Sequence, residues 1–407
     1  MQTLSLTPDQ QQAKQAILQF LSTEEKCFVL TGHAGTGKTT LIQNIAKQHQ
    51  QQNLEAPFSV AKTWRYCATT HKAAEALAQA TGEDTSTIHA LLDIRVRSNF
   101  GTGEQYIYRS KQAERQHDLI IVIDECSYID HKLLRLIHQA TDSSCKLIFM
   151  GDPNQLTPVG SHEVPVFQQH YATAQLQQVV RQAKDNPIQD ICRDFRKTIQ
   201  QHCDFPKISL SSHILHLPKS EFEQHIAQEF ARSTWQQGDS KVLAWRNTTV
   251  QAYNQTIFQH IKQRKRFQQG DYILNNHYVG GLKADSEYQI ENIEPSEQLN
   301  VLGHYIKLCG VKNHYFVPLH SKDYDQAKKQ ALKQQDSKAV KTIMETWADL
   351  RPAYACTVNK SQGSTYQKVF IDLNDLAKCK DALQLARLLY VASSRARQQV
   401  IYTGDLI

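Results

Sequence analysis

The chain has 407 residues, of which 40% are hydrophobic and 21% charged, with a formal net charge of +6. That length accommodates two or three domains, and the composition excludes a disordered or collagen-like chain. Nine scattered cysteines without a C-x-x-C pair point to reduced thiols rather than a disulfide framework or a structural zinc site.

The first residues, Met1 to Asp9, read as lacking the basic and apolar blocks of a secretory signal. No apolar run nears the ~20 residues of a membrane span. The apolar run ending at Val29-Leu30-Thr31 then leads into Gly32-His33-Ala34-Gly35-Thr36-Gly37-Lys38-Thr39, followed by a helical pattern from Thr40-Leu41. The pattern G-x-x-x-x-G-K-T between a strand and a helix is a phosphate-cradling loop. Its glycines turn the backbone so that N–H groups point inward, and the helix behind adds its positive end. Gly32, Ala34, Gly35, Thr36, Gly37, Lys38, Thr39 and Thr40 are therefore expected to bind a nucleoside triphosphate. Lys38 would reach the β- and γ-phosphates, and the Thr39 hydroxyl would be a Mg²⁺ ligand.

Apolar runs at 27–31, 64–68, 119–123 and 146–150 read as buried strands of one parallel sheet, and 241–245, 368–372 and 399–403 as a second set. Two α/β units are expected, one in each half. Residues from about 94 to 117 alternate around a glycine-containing turn and predict a β-hairpin. Short strands and turns over about 267–318 predict a small β-barrel inserted in the second unit, followed by a charged helical connector to 349. The basic run Lys262-Gln-Arg264-Lys265-Arg266 reads either as a solvated helix end or as a segment that tracks phosphates.

Leu119-Ile-Ile-Val-Ile-Asp124-Glu125 brings two carboxylates to the C-terminal end of a buried strand, where parallel sheets bind ligands. Asp124 is expected to hold Mg²⁺ and Glu125 to act as general base on the attacking water. The Gly- and Pro-rich turn Gly151 to Gly160 places Gln155 for contact with the γ-phosphate.

Taken together, the order of segments resembles superfamily 1 helicases of the 5′→3′ branch, of the RecD and Dda type, from Leu6 to Arg397. Leu6-Thr-Pro-Asp-Gln10 resembles the family's adenine-reading motif. Ala68-Thr-Thr70-His71-Lys72 and Ser86-Thr87-Ile-His89 resemble its DNA-contacting motifs, and Leu176-Gln-Gln-Val-Val-Arg181 its arginine segment. Val242 to Asn247 resembles the opening strand of the second motor domain. Thr357-Val-Asn359-Lys360-Ser361-Gln362-Gly363 and Leu389 to Arg397 resemble the last two motifs. The resemblance implies an α/β protein with two RecA-like P-loop motor domains, a hairpin insertion in the first and an SH3-like barrel insertion in the second. The expected boundaries are 1–185, 186–266, 267–349 and 350–407.

The resemblance also implies roles. Lys38, Asp124, Glu125, Gln155, Arg181 and Arg395 would perform hydrolysis, with Gln10, Gln362 and Gly363 joining the nucleotide site. Arg395 would enter the cleft when the motor domains close. Thr70, His71, Lys72, Ser86, Thr87, His89, Thr357, Asn359, Lys360 and Ser361 would contact a nucleic-acid strand, with Phe100 near the tip of a strand-separating hairpin. Asn359 stands where the family usually has His, and Thr69 and Thr157 where Pro is common. The expected activity is ATP- and Mg²⁺-dependent 5′→3′ translocation on single-stranded DNA and unwinding of forked duplex. A single-strand clamp that displaces proteins, and a motor subunit of a recombination nuclease, are the alternatives. A cytoplasmic monomer, with a single-strand binding protein as a further partner, completes the expectation.

Overall fold

A computed structural model describes residues 6–54, 62–98, 105–110, 112–158, 161, 163–178, 186–276, 278–283 and 286–406. The chain divides into two compact units. The first comprises Met1–Ile208, Gln362–Ser364 and Asp381–Ser394; the second comprises Ser209–Ser361, Thr365–Lys380 and Arg395–Ile407.

The first unit is built on a six-stranded parallel sheet. Its order is Thr85–Thr87, Thr63–Ala68, Leu119–Asp124, Lys146–Gly151, Cys27–Gly32, Ala172–Leu176. Its inner strands read as continuous apolar runs because helices cover both faces. Ile120, Val122 and Ile148 pack with Leu41 and Ile45 on one side, and Ile121, Ile123 and Phe149 with Leu133 and Ile137 on the other.

The resemblance sets an expected boundary at 185/186; the helix Pro187–Gln201 groups with the first unit. It buries Ile188, Ile191, Phe195 and Ile199 and packs against the helix Ala382–Ser394. That late helix belongs to the first unit although its flanking strands, Tyr366–Asp372 and Ala396–Thr403, belong to the second.

The strands Ile94–Ser98 and Gln105–Arg109 pair antiparallel, Ile94 opposite Arg109 and Ser98 opposite Gln105. Phe100, expected near the tip of the hairpin, and the other residues of 99–104 lie outside the described residues.

In the second unit a five-stranded parallel sheet has the order Ala355–Thr357, Ser240–Ala244, Tyr366–Asp372, Ala396–Thr403, Ile214–Leu217. A separate antiparallel sheet follows the order His314–Pro318, Val301–Leu308, Glu287–Gln298, Tyr272–Asn275, Leu350–Pro352. An isolated bridge pairs Phe316 of the first of these strands with Trp347, which lies just before the last one. The helices Ser321–Lys333 and Ser337–Thr346 close over Phe316 and Trp347 through Ala331, Ala339 and Ile343.

The two sheets of the second unit are joined by a buried ion pair. Lys241 Nζ lies 2.9 Å from Glu287 Oε2, with side-chain exposures of 0% and 3%. Lys241 also donates to the Ala353 carbonyl at 2.5 Å, and Gln237 to Glu287 at 2.6 Å. Among the described residues no helix is long and apolar enough to cross a membrane.

Candidate nucleotide and nucleic-acid site

The phosphate loop joins the strand Cys27–Gly32 to the helix Lys38–Leu54. Gly35 and Gly37 hold φ of +85° and +80°, a region L side chains rarely adopt. A Cβ on Gly37 would meet Gln10 Nε2 at 2.7 Å, and one on Gly32 would meet Thr36 Oγ1 at 2.7 Å. Lys38 Nζ donates to the carbonyls of Gly32 at 2.5 Å and His33 at 3.3 Å, so its ammonium folds over the mouth of the loop.

Gln10 is buried against this loop. Its Nε2 donates to the Thr36 carbonyl at 2.9 Å, and its Oε1 accepts the Thr7 N–H at 3.0 Å. Thr7 and Gln10 form a capping box on the helix Pro8–Leu21, so one side chain starts the helix and braces the phosphate loop. Asp9 beside it accepts N–H groups from Gln177 at 2.7 Å and Gln178 at 3.0 Å. Burial opposes its charge, but these N–H donors and the Thr7 hydroxyl hold its carboxyl below the ordinary value. Arg181, three residues beyond this clamp, lies outside the described residues.

The adjoining strand ends carry the carboxylates. Leu119–Asp124 pairs with Lys146–Gly151, Ile123 opposite Phe149, so Asp124 and the turn bearing Gln155 leave the sheet side by side. Burial pushes the Asp124 carboxyl up, opposed by the Lys38 charge and the Glu125 N–H. A divalent cation suits such a carboxylate, since it offsets the desolvation that burial imposes. Glu125 adopts φ 53° and ψ 43°, left-handed backbone that is uncommon outside glycine and clusters at functional sites.

Gln155 and Gln362 meet inside the first unit, Gln362 Nε2 donating to Gln155 Oε1 at 2.9 Å. Arg387 Nη1 donates to the carbonyls of Pro153 at 2.6 Å and Gln155 at 2.5 Å. Tyr390 Oη donates to Asp152 Oδ2 at 2.5 Å, and Arg196 lies over the Tyr390 ring at 5.5 Å. A polar cavity of about 280 Å³ beside the phosphate loop is lined by His33, Asp152, Asn154, Gln177, Arg196 and Gln200. Burial, then Arg196, hold His33 below its ordinary value. Sequence reasoning missed Arg196, Arg387 and Tyr390. Arg387 and Tyr390 stand three apart, on one face of a helix, a visible signal but a common one.

The strand-contacting candidates fall on both units. Ala68 pairs with Asp124 and with Thr87, so the loops after these strands emerge along one edge of the first sheet. Thr70 caps the helix His71–Thr81 by accepting from Ala73 N at 3.2 Å. Thr87 is buried and caps the turn Ile88–Leu91 through Ala90 N at 3.2 Å. His71, Lys72, Ser86 and His89 are half-buried around them. Burial, then His71, depress His89. Gly363, with φ of +77°, sits 3.4 Å from the Ala73 Cα. In the second unit Thr357 accepts from Lys360 N at 3.3 Å, and Ser361, fully buried, donates to the Val358 carbonyl at 2.7 Å. Asn359 and Lys360 remain half-exposed there. Arg395 is 4% exposed, and its carbonyl accepts the Tyr366 N–H at 2.8 Å. Asp375 was also missed: it gathers Trp245 N, Arg246 N, Arg246 Nε and Thr249 Oγ1 within 2.9 Å.

A phosphate loop, a strand-end Asp-Glu pair and two parallel α/β sheets define a P-loop nucleotide-binding protein with paired α/β sheets. Comparison with known proteins narrows the class. Residues 5–203 match the family described as AAA domain, and residues 352–402 match the UvrD-like helicase C-terminal domain. An uncharacterized protein of Acanthamoeba polyphaga mimivirus, R530, is 21% identical over 96% of this chain and 98% of its own. The ATP-dependent RecD2 DNA helicase of Deinococcus radiodurans is 34% identical over 40% of this chain. The chain spans only 21% of that relative's length. A crystal structure of Pif1 helicase from Bacteroides, in complex with ADP-AlF3 and ssDNA, shares the fold with a TM-score of 0.54, at 16% identity, over 100% of this chain and 94% of that one. Over these matched segments the chain is similar to superfamily 1 helicases of the RecD type.

Proposed function

We propose that the chain is an ATP-dependent DNA helicase that moves 5′→3′ on single-stranded DNA and separates forked duplex. One observation carries the reading. The register Ala68 opposite Asp124 sets the loop Thr69–Lys72 directly beside the Asp124–Glu125 segment, so in this reading a strand gripped by the loop would feel changes at the phosphate site.

In this reading Thr39 and Asp124 would hold Mg²⁺, which would supply neutralisation of the phosphate charge. The backbone of residues 32–37 and Lys38 bind the polyphosphate, and Gln10 holds the loop against the adenine side. Glu125 takes the proton of the attacking water. Gln155, Arg181 and Arg395 offset charge developing on the γ-phosphate. Thr70, His71, Lys72, Ser86, His89, Asn359 and Lys360 hold phosphates without reading sequence. The paired strands Ile94–Ser98 and Gln105–Arg109, with Phe100 expected near the hairpin tip, are the proposed wedge. The antiparallel sheet is the proposed SH3-like accessory element that keeps the strand in place. The chain works in a cytoplasm.

The test is a forked duplex with either a 5′ or a 3′ single-stranded tail, incubated with ATP and Mg²⁺ beside a Lys38→Ala control. Separation from the 5′ tail alone, absent in the control, is the expected result. ATPase activity indifferent to any single strand overturns the assignment.

A further inference from the structure

The basic run 262–266 divides in two. Lys262 donates to the Arg232 carbonyl at 3.4 Å and lies 5.5 Å over the Trp235 ring, and Arg264 pairs with Asp271 at 3.5 Å. These two charges hold the fold. Lys265 and Arg266 are exposed instead, and they line a cavity of about 380 Å³ in the second unit.

Other segments of that unit supply the remaining walls. Lys322 comes from the first turn of the helix Ser321–Lys333, His304 from Val301–Leu308 and Arg351 from Leu350–Pro352. The floor is apolar: Ile306, Val317 and Leu350 are buried beneath it. Phe267 and Tyr324 stand half-buried at its sides.

The charge balance is positive. Asp349 is already engaged, accepting from Arg351 Nη2 at 2.8 Å and Asn276 Nδ2 at 2.9 Å. That leaves Asp325 against three cations. Among the described residues no hydrogen bond or ion pair ties down Lys265, Arg266 or Lys322. The helix behind Lys322 starts at His320 without a side-chain cap, so its first N–H groups add to the positive field. His304 is held below its ordinary value by burial and then by Arg266.

Cations with free ends, half-exposed aromatic rings and an apolar floor together match single-stranded nucleic acid, whose phosphates need charge and whose bases need faces to stack on. An acidic peptide would use the charges but not the rings. We propose that this groove is a second contact for single-stranded nucleic acid, in which Lys265, Arg266 and Lys322 hold phosphates while Phe267 and Tyr324 support bases. The proposal rests on the nucleic-acid reading above and extends the strand's path onto the antiparallel sheet.

The test uses the full chain and the combined variant Lys265→Glu, Arg266→Glu, Lys322→Glu, all exposed positions, with the thermal midpoint as the folding control. Fluorescent oligothymidine of about 8 and about 24 nucleotides is titrated by anisotropy across a salt series. For the longer strand the log–log salt slope should fall by about 2 in the variant, as loss of three single-strand phosphate contacts requires, and affinity should fall about tenfold. Binding of the shorter strand and the ATPase it stimulates should stay unchanged. Thymidine with a 4-thio group should crosslink to peptides bearing Phe267 or Tyr324 in the wild type only. Equal slopes and affinities at both lengths, with stimulated ATPase intact, overturn the groove alone. Competition by polyglutamate that leaves oligothymidine untouched assigns the groove to an acidic protein and overturns the proposal. A wild type that binds no single strand overturns both readings.

Discussion

Thr69 Oγ1 donates a 3.1 Å hydrogen bond to the main-chain carbonyl of Glu125. It thereby ties the loop proposed to contact the strand to left-handed Glu125, the proposed general base. Thr69 occupies a position where the family commonly has Pro, which has no hydroxyl to donate. Thr69 therefore adds a physical link between the two proposed functions.

Thr69→Val keeps the shape and removes the donor. Losing one such bond costs about 1 kcal/mol, so the kcat of strand-stimulated ATP hydrolysis should fall about fivefold. The nucleotide Kd and the unstimulated rate should hold. A variant whose stimulation ratio matches the wild type would show that the bond carries no coupling.

Arg387 and Tyr390 hold the turn bearing Gln155 from a helix more than 200 residues later. Arg387→Ala removes two carbonyl contacts, each about 1.5–3 kcal/mol for a charged donor. Stability should drop, and kcat should fall more than the ATP KM rises, because Gln155 loses its placement rather than the loop its phosphates. Tyr390→Phe leaves a buried Asp152 oxygen without its donor, at about 1–3 kcal/mol. Urea denaturation paired with steady-state kinetics reads both effects.

The Lys241–Glu287 pair joins the two sheets of the second unit out of water. Glu287→Ala should lower stability by about 3–5 kcal/mol, since it strands a buried ammonium. Lys241→Met with Glu287→Leu should lie much closer to the wild type. For the same reason, excision of residues 268–318 should be made together with Lys241→Met. In that background, loss of strand separation with retained ATP binding is expected if the antiparallel sheet guides the strand.

Burial, then Lys26, depress the His138 imidazole, and its Nε2 lies 2.8 Å from Tyr171 Oη. A depressed histidine leaves the folded state binding fewer protons than the unfolded state. Its stabilisation is present above the ordinary value of 6.5 and is lost as pH falls through the lower folded value. The thermal midpoint should therefore drop from pH 7.5 towards pH 5.5, and drop less in His138→Asn. Equal drops in the two proteins would exclude His138 as a contributor.

Local pattern was enough for much of this molecule. Gly32 to Thr39 dictates the phosphate loop, because glycine accepts the left-handed turns at 35 and 37 without strain. The unbroken run 119–123 dictates a strand covered on both faces. The ends of both strands lie at one edge of a parallel sheet, so Lys38, Asp124 and Glu125 were legible as candidates before any contact was known.

Long-range packing decided the rest. No local signal tells that helix Ala382–Ser394 leaves its own flanking strands to pack on Pro187–Gln201, or that Arg387 reaches back to residues 153 and 155. Nothing in the run 262–266 distinguishes the two cations that brace the fold from the two that face solvent. Thr69 reads as a lost proline until the sheet register sets Ala68 opposite Asp124. Periodicity records which face of an element is buried, whereas hydrogen-bond partners hundreds of residues apart follow from how those faces stack.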